Sequence, residues 1–136
     1  MNHILGNATK LPLKSETFDG LLAKDIIEHL LYPDSTMAEL RRILKKGGKI
    51  IIETATPYYK HFWDDYTHIR PFTKKSLRSL LLNNDFSILK IECFSSCDLP
   101  GFPQIGLRDF GVRLRNILTK GRILRATNIR AFAVKK

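Results

Sequence analysis

The fold is decided by residues 39–54, which read ELRRILKKGGKIIIET. The apolar residues before the glycine pair recur at helical spacing and predict an amphipathic helix over about 35–46. Asp34-Ser35-Thr36 supplies residues that favour the helix N-cap, and Gly47-Gly48 is predicted to end the helix. The run that follows, Lys49 to Thr56, predicts a buried strand stopped by Pro57.

Working outward, the chain alternates strand and helix patterns. Strands are predicted at 18–23, 86–94 and 128–134, and residues 3–8 are predicted to form a short strand that breaks into a loop at Gly6-Asn7. Helices are predicted at 74–84, after the N-cap Thr73, and at 106–119. The strand over 18–23 is nearly all apolar, as expected of a strand covered on both faces. The strand over 86–94 shows a simple alternation. The order predicts an α/β fold with a mostly parallel sheet and one antiparallel edge strand.

Length and composition predict a single globular domain over residues 1–136. The chain contains neither an apolar run of the ~20 residues that a membrane span needs nor the apolar core of a signal peptide. Cys93 and Cys97 have no matching second pair, so buried or free thiols are favoured over a zinc site or a disulfide. We therefore expect a cytoplasmic protein.

Positive charge is concentrated at the C-terminal end. Nine of the 23 Lys and Arg residues fall in the last 29 residues, opposed only by Asp109. A solvated basic face is one interpretation, and attraction to a polyanion is the other. No nucleic-acid-binding motif accompanies the charge, which argues against nucleic acid as a partner.

Two motifs carry a resemblance to a known family. Glu28-His29-Leu30, followed by the 39–48 segment, resembles the second half of a class I S-adenosylmethionine (SAM)-dependent methyltransferase of the type 11/12 family. That family has seven strands, with the last inserted antiparallel between the fifth and the sixth. Laid on this order, residues 1–136 resemble strands three to seven. The resemblance implies an enzyme that uses SAM as cofactor.

The resemblance also shows what the sequence lacks. The family's glycine-rich turn after its first strand, and the acid that binds the ribose of SAM, are not found in this chain. We expect either an N-terminally truncated reading frame or a sheet completed by another chain. A homodimer formed through the exposed sheet edge is therefore one expectation.

Four residues are implied to bind the cofactor. Asn7 and Ala8 stand where the family has an acid and a small residue beside the adenine, although Gly6-Asn7 is also good turn chemistry. Ala23 and Lys24 end a predicted strand, where ligand crevices lie in open α/β sheets. Lys24 is unexpected beside a sulfonium unless its side chain turns outward.

Histidines supply the candidate catalytic residues. His29 could act as a general base, or Glu28-His29 could be a structural pair at a helix start. In one RNA-methylating branch of the superfamily, a glutamate and histidines here hold a divalent metal. Such a site would need a second carboxylate and another histidine nearby, and we predict no metal.

The segment from 63 to 73 resembles a lid of type 12 relatives. It is predicted to place His68 over the reactive end of the cofactor as a second catalytic residue, with Tyr66, Arg70 and Trp63 binding the substrate. The alternative is a rigid lid in which Phe72 and Trp63 are core anchors.

These features together predict a methyltransferase acting on an oxygen or nitrogen of a small molecule or glycan. A non-catalytic fold remnant that binds a partner is the first alternative. A basic nucleic-acid-binding protein is the second.

Overall fold

Four strands form one sheet in the computed structural model, which describes residues 3–94 and 126–136. The strands are β1 (Phe18–Lys24), β2 (Leu44–Ala55), β3 (Phe86–Phe94) and β4 (Asn128–Lys135). The helices are α1 (Pro33–Ile43) and α2 (Lys74–Asn83), with single 3₁₀ turns at Ile27–His29 and Phe62–Asp64. No helix in these two ranges is long and apolar enough to cross a membrane.

The sheet has the order β1-β2-β4-β3. β1 pairs with β2 in parallel, and β4 pairs antiparallel with both β2 and β3. Three strands therefore run in one direction, and the last strand runs against them. The α/β class and the antiparallel last strand are confirmed. The expectation of an antiparallel edge strand is corrected, because β4 lies between β2 and β3, as the family resemblance implied.

β1 is more exposed than its apolar sequence predicted. Only Ala23 is buried, and Leu22 is 65% exposed. Among the described residues β1 pairs with β2 alone, so it forms one edge of the sheet. The prediction of a strand covered on both faces is wrong for this structure.

The short strand predicted from residue 3 is also wrong, but the loop predicted at Gly6-Asn7 is confirmed as a turn. This stretch contains only an isolated bridge between Asn7 and Lys10. The Asn7 side-chain oxygen accepts hydrogen bonds from the backbone N–H and the hydroxyl of Thr9, both at 2.9 Å. An asparagine that bonds two residues ahead favours a turn over a strand.

Glu39 and Arg42 hold the loop that follows this turn. Glu39 accepts a 2.7 Å hydrogen bond from the N–H of Leu11, and Arg42 Nη2 donates to the same carboxylate and to the Leu13 carbonyl. The pKa of Glu39 is lowered from 4.5 to about 2, mainly because the Arg42 side chain hydrogen-bonds to it. The bond from Leu11 lowers it further, and burial opposes both.

This depressed pKa predicts an acid-dependent loss of stability. Because the folded pKa of Glu39 lies below the unfolded value, its contribution is present above pH 4.5 and is lost as pH falls toward about 2. Urea unfolding between pH 7 and pH 2 should show a falling midpoint that Glu39→Gln flattens across this window. Glu16→Gln, on the exposed surface, should leave the fall of the urea midpoint in place. If Glu39→Gln does not change the pH dependence of the midpoint, Glu39 is not the group responsible.

α1 starts and ends earlier than predicted. It begins at Pro33, because proline's fixed φ suits the first turn of a helix. Tyr32 is the N-cap residue, and its side chain makes no capping hydrogen bond. It ends at Ile43, and Leu44 is already extended and fully buried. The predicted caps in 34–36 and the predicted glycine end of the helix are therefore wrong.

The glycine pair serves β2 instead. Gly47 has φ +73°, and the pairing register jumps here from Phe18 opposite Leu44 to Gly20 opposite Lys49. A Cβ at Gly48 would lie 2.8 Å from both Leu44 Cγ and the Lys45 carbonyl. Both glycines are therefore needed at the irregular start of β2. Gly47 adopts a left-handed conformation, and Gly48 has no room for a side chain.

α2 matches its prediction closely. Thr73 and Ser76 form a capping box, in which the Thr73 hydroxyl accepts from the Ser76 N–H at 3.1 Å. The predicted inward residues of the helix, Leu77, Leu80 and Leu81, are all buried. They join the core cluster with residues of α1, β2, β3 and β4.

The capping box yields a stability prediction. Thr73→Ala should lower the free energy of unfolding by about 1 kcal/mol, because backbone donors at the start of α2 lose their partner. Ser35→Ala is the matched control, since Ser35 lies in α1 and caps nothing, and it should change stability by less than about 0.5 kcal/mol. Chemical denaturation measures both; equal losses would contradict this account of the two helix starts.

β3 departs from the predicted alternation at one position. Ile88 pairs with Ala133 and Lys90 with Phe132, so Leu89 is an extra residue in the ladder. This bulge lets Ile88 and Ile91 both pack against the core, which simple alternation does not allow. Of the two cysteines, Cys93 is a free, exposed thiol. Cys97, the predicted helix over 106–119 and most of the basic segment lie outside the described residues.

Candidate active site

A pocket of about 330 Å³ opens where β1 and β2 end and β4 begins. Asp25 follows β1 directly, with φ +50°, and its N–H donates to the Glu53 carbonyl at 2.9 Å. The lining residues are Asp25, Glu28, Ala55, Tyr59, His68, Thr127 and Asn128. The pocket therefore lies at the carboxyl ends of the parallel strands, where open α/β sheets bind ligands.

Glu28 is the buried acid of this pocket. Its side chain is 1% exposed, and Oε1 accepts a long 3.5 Å hydrogen bond from the N–H of Ala55. Oε2 is buried and has no hydrogen-bond partner among the described residues. A buried carboxylate oxygen without a partner is costly, so such an atom is a sign of a function.

Backbone hydrogen bonds bring the segment between β2 and α2 onto Glu28. The Glu28 carbonyl accepts from the N–H of Ile69 at 2.8 Å and of Arg70 at 3.2 Å. The Phe72 N–H donates to the Ala55 carbonyl, which ties the end of the segment to β2. These bonds place His68 beside His29, although 39 positions separate them in sequence.

His68 is held in one orientation. Its Nδ1 lies 2.5 Å from the Phe62 carbonyl, and its ring stacks on the buried Phe62 ring with centroids 4.4 Å apart. Because a carbonyl can only accept, Nδ1 carries the proton and the neutral ring has its lone pair on Nε2. Nε2 lies 3.9 Å from an Asp65 carboxylate oxygen.

His29 is held by a second chain of hydrogen bonds. The Thr67 hydroxyl donates to Asp65 at 2.6 Å and lies 2.9 Å from His29 Nδ1. Since its one proton goes to Asp65, the hydroxyl accepts from His29 Nδ1–H. The pKa of Asp65 lies below its ordinary value, first because of this hydroxyl and then because of the Thr67 N–H. His29 is left with its lone pair on Nε2.

The two imidazoles and the buried carboxylate form one cluster. The rings of His29 and His68 have centroids 4.6 Å apart. One ligand atom from each of Glu28, His29 and His68 lies within 4.8 Å of the others. Two neutral histidines and a carboxylate can take up a proton from a bound acceptor or hold a divalent cation.

The structure thus brings together the two predicted catalytic histidines. The four residues predicted to bind cofactor do not line the pocket. The Asn7 oxygen is engaged by Thr9, Ala23 is in the core, and Lys24 has a 57% exposed side chain beside Asp25. The Lys24 side chain therefore lies in solvent, as the sequence prediction required of a lysine at this position.

The predicted substrate residues lie on the outer surface of the segment. Tyr66 is 96% exposed and Trp63 67% exposed, while Arg70 Nη2 donates to the Leu31 carbonyl at 3.1 Å. Trp63 is therefore not the core anchor of the alternative interpretation, whereas Phe72 is buried as that interpretation expected. Phe62, the neighbour of Trp63, takes the anchoring position.

Sequence reasoning missed several pocket residues. Asp25 and Glu28 were not counted among the site residues, and Tyr59 and Phe62 carried no assigned role. The spacing of Asp25, Glu28 and His29 around one turn after a strand was a usable signal for the first acid. No sequence signal identified Phe62, because its contact with His68 depends on the folded path of the segment.

Comparisons with known proteins show which family and fold this chain resembles. Residues 1–52 match the family described as a methyltransferase domain. Demethylmenaquinone methyltransferase of Streptomyces avermitilis is 36% identical over 63 residues, covering 46% of this chain and 27% of that protein. The chain spans about a quarter of the length of the curated relatives it matches.

Solved structures extend the likeness to most of the chain. A SAM-dependent methyltransferase from Archaeoglobus fulgidus is 23% identical, with a TM-score of 0.72 over 97% of this chain and 66% of that one. One from Mesorhizobium loti is 15% identical, with a TM-score of 0.66 over 96% of this chain and 67% of that one. The resemblance seen in the sequence is confirmed: the chain has the class I methyltransferase fold, and its first 52 residues match the methyltransferase domain family.

Proposed function

We propose that this chain contributes the acceptor-side site of a SAM-dependent methyltransferase acting on an oxygen or nitrogen of a small molecule or glycan. The observation that carries the proposal is the cluster of Glu28, His29 and His68 at the carboxyl ends of β1 and β2. The methyltransferase name of the Streptomyces relative, with its demethylmenaquinone substrate, supports a small-molecule acceptor.

The charges around the pocket suit SAM. Two acids, Asp25 and Glu28, line it, and the neighbouring Lys24 turns to solvent. A negative lining attracts a sulfonium, whereas a lysine pointing inward would repel it. Adenine binding by Asn7 and Ala8 belongs to the same proposal, with Ala23 forming the floor beneath the cofactor.

The histidines handle the proton in this scheme. When bound, SAM supplies an activated methyl group, so the protein has to align the acceptor and remove a proton from its hydroxyl or amine. Nε2 of His68 takes that proton as the new bond to the methyl forms. The carboxylate of Asp65, 3.9 Å away, then stabilises the imidazolium.

The exposed residues of the segment bind the acceptor. Tyr66 and Trp63 offer aromatic faces to a ring or a sugar, and Arg70 offers the part of its guanidinium that Leu31 does not use. Their exposure suits a role in which a bulky acceptor covers them.

The sheet edge at β1 is completed by another segment in this proposal. In this proposal β1 to β4 correspond to strands four to seven of the family. The assignment made from the sequence began at strand three, but residues 3–17 form no strand. Either a preceding part of a longer protein or a second copy in a homodimer pairs with the exposed edge of β1.

The non-catalytic alternative keeps one observation in its favour, because the Asn7 oxygen is already bonded to Thr9. Isothermal titration with SAM and with S-adenosylhomocysteine separates the two. Micromolar binding of both supports the enzyme. Millimolar or absent binding overturns the enzyme proposal for this chain and favours a partner-binding remnant.

A further inference from the structure

Glu28 Oε2 is buried without a hydrogen-bond partner in the described part of the chain, and proton transfer by His68 does not explain this. A general base on a histidine uses the imidazole lone pair and leaves Glu28 Oε2 buried and unbonded. The side chain is 1% exposed and lines the pocket, so water from bulk solvent does not solvate it freely. A cation in the pocket would satisfy it.

The two histidines have the features of metal ligands. Each has Nδ1 engaged by a fixed neighbour, the Phe62 carbonyl for His68 and the Thr67 hydroxyl for His29. Such an outer hydrogen bond sets the tautomer that leaves Nε2 free and orients the ring toward an ion. The Thr67 hydroxyl in turn donates a hydrogen bond to the Asp65 carboxylate, so His29 is linked to a carboxylate through Thr67.

We infer that Glu28, His29 and His68 form a binding site for one divalent transition-metal ion. Two imidazoles with one carboxylate favour Zn²⁺, Mn²⁺, Fe²⁺ or Co²⁺ over Mg²⁺ or Ca²⁺, which prefer oxygen ligands. Three protein ligands leave at least one position open, toward a pocket of about 330 Å³ that Asp25 also lines. The prediction of no metal is replaced by this inference.

Binding would draw the three groups together. Their ligand atoms span up to 4.8 Å, whereas neighbouring ligands of a tetrahedral ion with bonds of about 2.1 Å lie about 3.4 Å apart. His68 is on the segment between β2 and α2, and Glu28 and His29 are on the turn after β1. The ion therefore ties this segment to the sheet.

The bound ion would also take part in the reaction. This role depends on the proposed methyl transfer, whereas the metal site itself does not. With both Nε2 lone pairs on the ion, His68 would no longer take the proton. The acceptor hydroxyl would bind at the open position, where the cation would lower its pKa, and its proton would pass to solvent water as the oxygen takes the methyl group from the sulfonium. An acceptor with two adjacent oxygens would fit best, since it can hold the ion at two positions.

Metal titration of the full chain tests the site directly. After chelator treatment, the protein is titrated with Zn²⁺ by calorimetry and with Co²⁺ by visible absorption. We expect one equivalent to bind with micromolar or tighter affinity. Glu28→Gln, which preserves shape and the bond from Ala55, and His68→Ala should each weaken binding by more than ~100-fold, and Thr67→Val by about 10–100-fold.

His61→Ala is the matched control, because His61 is an exposed histidine of the same segment that pairs with Asp64 outside the cluster. It should leave the affinity unchanged. Binding weaker than millimolar, or binding that Glu28→Gln and His68→Ala do not alter, overturns the site. So does an equal loss in His61→Ala.

Titration with S-adenosylhomocysteine on the same samples keeps the two proposals apart. Metal binding without cofactor binding supports the site and overturns the methyltransferase role of this chain. Cofactor binding without metal binding overturns the site and supports proton uptake by His68.

Discussion

His68→Ala lowers kcat by about 10²–10⁴-fold in the methyltransferase assay and leaves SAM affinity within about threefold. The rate falls because Nε2 of His68 is lost, and the loss of a positioned acid–base group typically has this size. SAM affinity is preserved because His68 lies on the segment between β2 and α2, whereas the proposed adenine contacts lie at Asn7 and Ala8. Steady-state kinetics and SAM titration measure the two effects.

His61→Ala again serves as the control, and it should keep kcat within about twofold. A His68→Ala protein with normal turnover but a melting temperature several degrees lower would show that the residue is structural. The stacking of His68 on Phe62, at 4.4 Å, would then be its main contribution.

Phe86→Ala costs about 3–5 kcal/mol of unfolding free energy, the largest stability effect expected from a single truncation here. Phe86 is 0% exposed and belongs to the core cluster with Leu77, Leu81 and Ala133. Removing its ring leaves a cavity that the packed neighbours fill only in part.

Leu89→Ala in the same strand is its control. Leu89 is 62% exposed, because the bulge in β3 leaves it outside the regular ladder. It should change stability by less than about 0.5 kcal/mol in urea denaturation. A loss at Leu89 as large as that at Phe86 would contradict the bulge.

The elements with several agreeing local signals were predictable. α2 has a capping threonine followed by leucines at helical spacing, and β3 and β4 lie within a residue or so of their predicted ends. Local preference and tertiary packing favour the same conformation in these segments, so the pattern is sufficient.

The predictions of secondary structure were wrong where two local sequence signals compete. At Gly47-Gly48, helix-ending chemistry suggested a C-cap, yet burial of Leu44 draws the chain into an extended conformation three residues earlier. At residues 3–5, apolar residues suggested a short strand before the predicted loop at Gly6-Asn7, but only the turn at Asn7 is formed. Sequence patterns alone do not say which contribution is larger.

The histidines of the candidate site could be predicted from the sequence, whereas their proximity and the burial of Glu28 could not. His29 and His68 were named from motifs, but their proximity depends on the backbone bonds from Ile69 and Arg70 to Glu28. The buried Oε2 of Glu28 has no signature in sequence, because a glutamate at a helix start is ordinarily exposed. The metal inference could therefore come only from the folded geometry.

The most direct test of the central claim is a crystal structure of the protein with S-adenosylhomocysteine. We expect the sulfur at the mouth of the pocket lined by Asp25, Glu28 and His68, with the adenine toward Asn7 and Ala8. A bound cofactor with its sulfur away from this pocket, or a protein that does not bind it at millimolar concentration, would contradict the claim that this cluster serves methyl transfer.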